Sequence, residues 1–324
     1  MTTFIQISDR LRAAADIEAE TPITVGATTV GPDGRLFGPT VESRQWSAWA
    51  HNFPLKEMKQ LRFSLPAGAN DAEVVLGFFG VASPKHWQSA WQATPVAFRQ
   101  TKVFEARTEA VAAWVREAEI IAGQVPVAAF DEGKLRASLD QLRRLTRENV
   151  QDGLDQAQMI CSKFGVAVVL VPELPRTRIS GCAKWLSDKH AMVGLTIRYK
   201  WADQLWFTFF HELAHILLHR EHRSFVIDNA ADHMGDDVVD PEMAKYEEEA
   251  DRFAGDTLVP PTALTEFLSL HGRAATSEEI HVFAKSIGIG PGIVVGRLQH
   301  DAVLTRWQGN TLKQKLEWGF VTKE

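Results

Sequence analysis

Residues 206–219 read WFTFFHELAHILLH, and this stretch decides the fold. Apolar residues surround a His-Glu-x-x-His pattern that consists of His211, Glu212 and His215. The density of apolar residues predicts a buried helix, on which two histidines four positions apart lie on one face. Two imidazoles placed in this way can bind a single Zn²⁺ ion. The stretch therefore predicts a metal-binding helix within the core.

Glu212 is the candidate catalytic residue. It follows the first histidine, so its carboxylate can reach a water on the metal and take a proton from it during attack on a carbonyl. A solvated helix face is the alternative interpretation of His211 and His215. A segment this rich in apolar residues does not favour it.

A catalytic zinc site needs a third protein ligand and an open fourth position. The extended pattern H-E-x-x-H-x-x-G-x-x-H is absent, because position 218 is leucine and position 221 is glutamate. His219 lies one helical turn after His215. It is then close to the site but too far along the helix to bind the metal, so we expect it behind the ligands or at the surface.

A second helix, predicted over PEMAKYEEEADRFAGDTL at residues 241–258, carries the acidic candidates. Glu249 adjoins the apolar positions of this helix and is the preferred third ligand, with Glu247 as the second choice. Asp251 can orient a ligand histidine, because metal-bound histidines usually donate their other ring proton to an acceptor.

The rest of the chain predicts an α+β fold. We expect an N-terminal regulatory or sensor region over residues 1–104, with a helix in residues 1–20, a hairpin at 23–40 and Trp-rich helices. The second unit, residues 105–324, begins with three helices, continues with three extended segments, and ends in a helical tail at 271–324.

FTFFHELAHILLH (207–219) and EEEADRFAGDTLVPP (247–261) together resemble the ImmA/IrrE family of bacterial metallopeptidases. VAVVLVPELPRTRISGCAKWLS (166–187) and IGIGPGIVVGRLQHD (287–301) also resemble its longer members. The resemblance implies a mainly helical zincin-like domain with a small mixed or antiparallel sheet.

The resemblance also implies one zinc ion per chain, bound by His211, His215 and a glutamate of the 247–249 run, with Glu212 as general base and acid. It implies cleavage of a helix-turn-helix repressor that controls a stress, phage-defence or mobile-element operon. Longer relatives often carry an N-terminal helix-turn-helix, which residues 1–65 lack. We therefore expect the DNA-binding partner to be a separate polypeptide.

Further residues are candidates for binding the substrate or for inhibiting the enzyme. The segment Met192–Tyr199 is the expected edge strand for an extended peptide, and Arg198 or Tyr199 is a candidate for holding the oxyanion. Cys182 lies in an extended segment expected near the zinc, where a thiolate would displace the water and inhibit the enzyme. A small half-buried strand residue is the alternative for Cys182.

The chain has 10 Trp and only 2 Tyr. Trp87 and Trp91, with Arg99 and Lys102, are candidate contacts for an activating single-stranded DNA, since bases stack on aromatic rings and phosphates pair with cations. Tryptophans that fill a core are the competing interpretation.

Composition sets the remaining expectations. The 324 residues are 45% hydrophobic and 23% charged, with a net charge of −6 and 2 Cys. These values exclude a wholly disordered chain, a disulfide framework and a generally basic duplex-binding protein. We expect a cytoplasmic protein without a membrane segment. The alternative function is a non-proteolytic antitoxin-type transcriptional regulator, although the intact His-Glu-x-x-His pattern favours the enzyme.

Overall fold

A computed structural model of the chain describes residues 2–6, 41–92, 108–220, 226–228 and 241–319. The α-helices are α1 (Val41–Ala50), α2 (Leu55–Gln60), α3 (Asp71–Phe79), α4 (Pro84–Trp87), α5 (Thr108–Gln124), α6 (Glu132–Arg144), α7 (Val150–Ser162), α8 (Ala202–Leu218), α9 (Pro241–Leu258), α10 (Pro261–His271), α11 (Ser277–Ile287) and α12 (Pro291–His300). The strands are β1 (Thr2–Gln6), β2 (Val166–Leu170), β3 (Gly181–Ser187), β4 (His190–Leu195), β5 (Val226–Asp228) and β6 (Lys315–Gly319). The predicted α+β class, mainly helical with a small mixed sheet, is confirmed.

Helix boundaries follow local capping chemistry. The Asn70 side chain accepts a hydrogen bond from the Glu73 backbone N–H and so caps α3. The Thr276 and Glu279 side chains form a reciprocal capping box at the start of α11. These ends are fixed by residues within three positions, so sequence alone can locate them.

The central sheet has the strand order β2-β4-β3-β5. Strand β2 runs parallel to β4, whereas β3 runs antiparallel to both β4 and β5. β4 thus has a neighbour on each side. The prediction that Met192–Tyr199 forms an edge strand is therefore wrong, because β2 and β3 occupy the two sides of β4.

Each face of the sheet is covered by its own hydrophobic cluster. One cluster contains α8 with Ala183, Val193 and Leu195 of the strands. The other contains α1–α5 residues with Cys182 and Met192. The separation follows from the alternation of side chains along each strand.

The first strand contradicts the predicted helix at residues 1–20 where it is described. Strand β1 pairs in parallel with β6, with Thr2 opposite Lys315 and Gln6 opposite Gly319. Residues 7–20 and the predicted hairpin at 23–40 lie outside the described residues. So does the boundary between residues 104 and 105, and the two-unit division stays a prediction.

Both ends of α8 are tied to distant parts of the chain. At its start, Lys313 Nζ lies 2.6 Å from Asp203 Oδ2, and both side chains are buried. At its end, Arg136 of α6 donates to the Leu217 carbonyl at 2.8 Å. A cation at a helix C-terminus satisfies a carbonyl that has no partner within the helix.

Among the described residues, no helix is long and apolar enough to cross a membrane.

Candidate metal centre

Helix α8 carries the His-Glu-x-x-His pattern in the interior, as the sequence predicts. The exposed fractions are 2% for His211, 0% for Glu212 and 4% for His215. The ring centroids of the two histidines lie 4.7 Å apart, as expected for positions i and i+4 on one helix face. The helix thus holds two imidazoles side by side where little water reaches them.

Helix α9 brings a carboxylate to this pair. The Nε2 atoms of His211 and His215 are 3.0 Å apart, and Glu247 oxygens lie 3.2 Å from the first and 3.7 Å from the second. One ligand atom from each of His211, His215 and Glu247 lies within 4.8 Å of the others. The structure therefore assembles a three-residue candidate metal site.

The preferred third ligand was Glu249, and here the structure reverses the order of the two glutamates. Glu247 precedes Ala250 by three positions and Ala254 by seven, so it shares the buried face of α9. Glu249 instead directs its carboxylate to His219, at 3.1 Å from Nε2. Helical spacing to the buried alanines, rather than adjacency to one of them, was the signal that identifies Glu247.

Asp251 contacts His211, as its expected role requires. Its Oδ1 lies 2.9 Å from His211 Nδ1. A carboxylate only accepts hydrogen bonds, so His211 donates its Nδ1 proton and keeps a lone pair on Nε2. That lone pair faces Glu247.

Burial disfavours the charged form of His215. Burial is the main cause that holds the pKa of His215 well below its ordinary value, and the neighbouring His211 and His219 lower that pKa further. Metal binding requires neutral imidazole. The site therefore presents His215 in the protonation state that a metal needs.

The donor set fits a zinc ion. Two atoms bound at about 2.0–2.1 Å to a tetrahedral ion lie about 3.4 Å from each other. The two Nε2 atoms are 3.0 Å apart, and the two oxygens of Glu247 lie 3.2 Å (Oε2 to His211) and 3.7 Å (Oε1 to His215) from them, on both sides of that value. Two imidazoles and one carboxylate are also a recurrent ligand set of catalytic zinc.

The Glu212 side chain lies between the backbone of α8 and strand β3 of the sheet. Gly181 of β3 faces it, and a Cβ atom at position 181 would stand 2.7 Å from Glu212 Oε1 and 2.6 Å from Thr208 Cγ2. Distances below 3.0 Å require the neighbours to move. Glycine at 181 is therefore what allows β3 to approach the candidate catalytic carboxylate.

The strand beside Glu212 is β3, and its outer edge pairs with β5. Gly181 lies opposite Asp228, and Ala183 lies opposite Val226. β3 rather than β4 is therefore the strand next to the candidate catalytic residue.

The structure does not bring Cys182 to the histidines. Because side chains alternate along β3, Cys182 faces away from α8 and packs with Trp114 and Met192. Burial, followed by the charge of Glu212, raises the pKa of the Cys182 thiol well above its ordinary value. A neutral thiol on the opposite face of the sheet does not have the geometry of an inhibitory zinc ligand.

Arg198 and Tyr199 also lie apart from the histidines. They precede α8, whose first residue is about 14 Å along the helix axis from His211. The Arg198 guanidinium donates to the Arg178 carbonyl and lies 5.0 Å from the centre of the Tyr199 ring. The structure thus gives neither residue an oxyanion-binding position.

Of the four candidate DNA contacts, Trp87 is inaccessible. Its exposed fraction is 0%, and its ring packs edge-on against Trp49, Phe53 and Phe79. The half-buried Trp91 has the Lys184 ammonium 5.3 Å from its ring centre. Arg99 and Lys102 lie outside the described residues. The interpretation of Trp87 as a core residue is confirmed.

Residues 198–298 match the family Peptidase_M78, described as the IrrE N-terminal-like domain. The match includes α8 and α9 and confirms the resemblance to the ImmA/IrrE family. It indicates a metal-dependent peptidase of the ImmA/IrrE type, consistent with the cluster of His211, His215 and Glu247. A comparison with curated proteins gives no match.

Proposed function

We propose that this chain is a zinc-dependent endopeptidase that cleaves a separate helix-turn-helix transcriptional repressor. The observation that carries the proposal is the convergence of His211 Nε2, His215 Nε2 and a Glu247 oxygen within 4.8 Å. These atoms would hold the ion. When bound, zinc supplies a Lewis acid that lowers the pKa of a water and polarises the scissile carbonyl.

Glu212 would move the proton. Its carboxylate accepts a proton from the attacking water and then delivers it to the amide nitrogen that leaves as an amine. The buried position of Glu212 between α8 and β3 restricts its motion, which favours transfer in a fixed direction.

The substrate would bind in an extended conformation at the β3–β5 side of the sheet. β3 adjoins Glu212 through Gly181, and β5, which pairs with β3, is the last strand on this side of the sheet among the described residues; both observations support the addition of a substrate strand there. Addition of a strand supplies main-chain hydrogen bonds without demanding a particular sequence. Specificity for one repressor must then come from side-chain contacts.

Co-expression with the product of a neighbouring helix-turn-helix gene tests the proposal. The wild-type chain should cleave this protein, whereas Glu212→Gln should retain zinc and leave the protein intact. Mass spectrometry of the fragments and metal analysis of the purified variants give both readouts. Cleavage that persists in the variant contradicts the mechanism.

We also propose single-stranded DNA as an activating signal. The buried Trp87 is no longer among the residues proposed to contact it. Support comes from the aromatic and basic composition around Trp91, Arg99 and Lys102. A mixed-sequence oligonucleotide should raise the cleavage rate of the purified protein. A rate that is the same with and without the oligonucleotide excludes this activator.

A further inference from the structure

His219 and Glu249 form a second polar pair directly behind the candidate ligand His215. His215 Nδ1 lies 3.1 Å from His219 Nδ1, and His219 Nε2 lies 3.1 Å from Glu249 Oε2. His219 is buried, and its ring packs against Tyr246 with centroids 4.6 Å apart. The three groups make a continuous hydrogen-bonded row from α8 to α9.

The carboxylate at the end of the row fixes the direction of every hydrogen bond in it. Glu249 only accepts, so His219 in its neutral form donates its Nε2 proton and keeps a lone pair on Nδ1. That lone pair accepts the Nδ1 proton of His215. His215 is left with a lone pair on Nε2, the atom that faces His211 and Glu247.

The two candidate ligand histidines are thus oriented in different ways. His211 contacts a carboxylate directly, through Asp251 at 2.9 Å. His215 reaches its carboxylate only through a second imidazole. Both arrangements end with an unprotonated Nε2 directed at Glu247, so three lone-pair donors converge with no hydrogen between them. A cation satisfies all three together.

From this geometry we infer that His219 and Glu249 are positioning residues that fix the ring orientation and tautomer of His215 for metal binding. The inference rests on the proposed zinc site. It gives a role to the glutamate that is not brought to the ligand cluster, and to a histidine one turn beyond the metal-binding pattern. Such outer partners typically change metal affinity by about 10–100-fold when they are removed.

The test measures the affinity of the metal-free full-length protein for Zn²⁺ by competition with a chromogenic chelator. His219→Ala should weaken binding by about 10–100-fold. Glu249→Ala should weaken it in the same direction by a smaller factor, because His219 stays in place but its tautomer is free. Glu248→Gln is the matched control, since Glu248 is 74% exposed, pairs with Arg252 on the same helix and should leave the affinity unchanged.

Three further measurements separate positioning from a general effect on packing. His219→Gln should restore most of the affinity, because the amide oxygen can accept from His215 while the amide N–H donates to Glu249. The double variant His219→Ala/Glu249→Ala should lose no more than His219→Ala alone, since the two residues act in one row. The visible absorption of the Co²⁺-loaded protein should change in His219→Ala and return in His219→Gln.

The outcomes distinguish this inference from the proposed function. A wild-type chain that binds neither Zn²⁺ nor Co²⁺ overturns both. A wild-type chain that binds zinc with the same affinity as His219→Ala and Glu249→Ala overturns only the positioning role. Additive losses in the double variant also overturn it. If His219→Ala fails to fold, Glu249→Ala still decides, because its side chain is at the surface and more than a third exposed.

Discussion

Gly181 and Cys182 are neighbours on β3, yet they face opposite sides of the sheet. On the α8 side, Gly181 makes room for Glu212 next to a buried group of histidines. On the α5 side, Cys182 packs among Trp114, Met192 and other apolar residues. One side therefore concentrates buried polar groups, and the other consists mainly of close-packed apolar side chains.

This difference shows that the two faces of a small sheet can have different roles, one carrying the polar residues of the candidate site and the other a packed apolar core. Buried polar groups cost free energy unless they are paired, and on the α8 side they are paired with one another and with α9. The apolar side has no such requirement and contributes through burial. We therefore expect substitutions on the two sides to change different properties, namely metal binding and stability.

The largest expected effect is that of His211→Ala on metal binding. Loss of one of three ligands should weaken zinc affinity by more than about 100-fold, beyond the loss typical for outer partners. Zinc content after dialysis measures this loss. Gln204→Ala, at an exposed position of the same helix, is the control and should retain zinc. Equal zinc content in His211→Ala and wild type would contradict the proposed site.

Trp114→Ala should act on stability instead. The indole is fully buried and its Nε1 donates to the Val171 carbonyl at 3.3 Å. The free energy of unfolding should fall by about 3–5 kcal/mol, measured by urea denaturation. Trp307→Ala removes a tryptophan that is 73% exposed, and it should change the free energy of unfolding by no more than about 0.5 kcal/mol. A folded Trp114→Ala protein that no longer binds zinc would break the separation of the two sides.

Gly181→Ala should affect both properties, because it acts at the junction. The added methyl group collides with Thr208 and Glu212, which should cost about 1–3 kcal/mol and displace the candidate catalytic carboxylate. Repressor cleavage should fall while zinc is retained. The control is Gly123→Ala, where a Cβ meets no atom within 4 Å. An active, stable Gly181→Ala enzyme would refute the close approach.

Cys182→Ala should have the smallest effect: the free energy of unfolding should fall by about 1 kcal/mol, with no gain in cleavage and no change in zinc content. A gain in cleavage would instead support Cys182 as an inhibitory zinc ligand. Thiol labelling sharpens the result, because burial raises the pKa of Cys161 to about 12 and that of Cys182 well above its ordinary value. Both cysteines should react only after the protein is unfolded.

Local sequence patterns predict the helices that build the site. The apolar run around His211 predicts α8, and the segment 241–258 predicts α9 with the same bounds that the structure shows. Apolar spacing and capping act over a few residues, and these signals are complete within one element. The candidate metal-binding histidines, Glu212 and Asp251 follow from them.

Features that depend on distant partners were not predictable in this way. Strand β1 forms only because β6 lies beside it, and residues 2–6 carry no pattern that identifies a partner more than 300 positions away. Similarly, β4 becomes internal because β2 pairs with it on one side and β3 on the other. Pairing of this kind is decided by tertiary structure rather than by propensity.

The ligand register and the position of Cys182 illustrate a third case. Both depend on which way a side chain points, which a shift of one residue reverses in a strand and rotates by about 100° in a helix. Glu247 and Cys182 could be placed from spacing to buried neighbours. Proximity along the sequence alone misplaced both residues.

The attachment of the chain's tail to α8 has a consequence for the order in which the protein is made. Lys313 neutralises the buried Asp203, and the Ala202 backbone N–H donates to the Gln314 carbonyl at 2.9 Å. Lys313 is translated 110 residues after Asp203, a delay of about 5–20 s at typical rates of synthesis. Toward the end of that interval the nascent chain contains His211, His215 and Glu247, but the start of α8 still lacks its cation. The helix that carries the candidate metal ligands is therefore completed only after Lys313 and Gln314 have been synthesised.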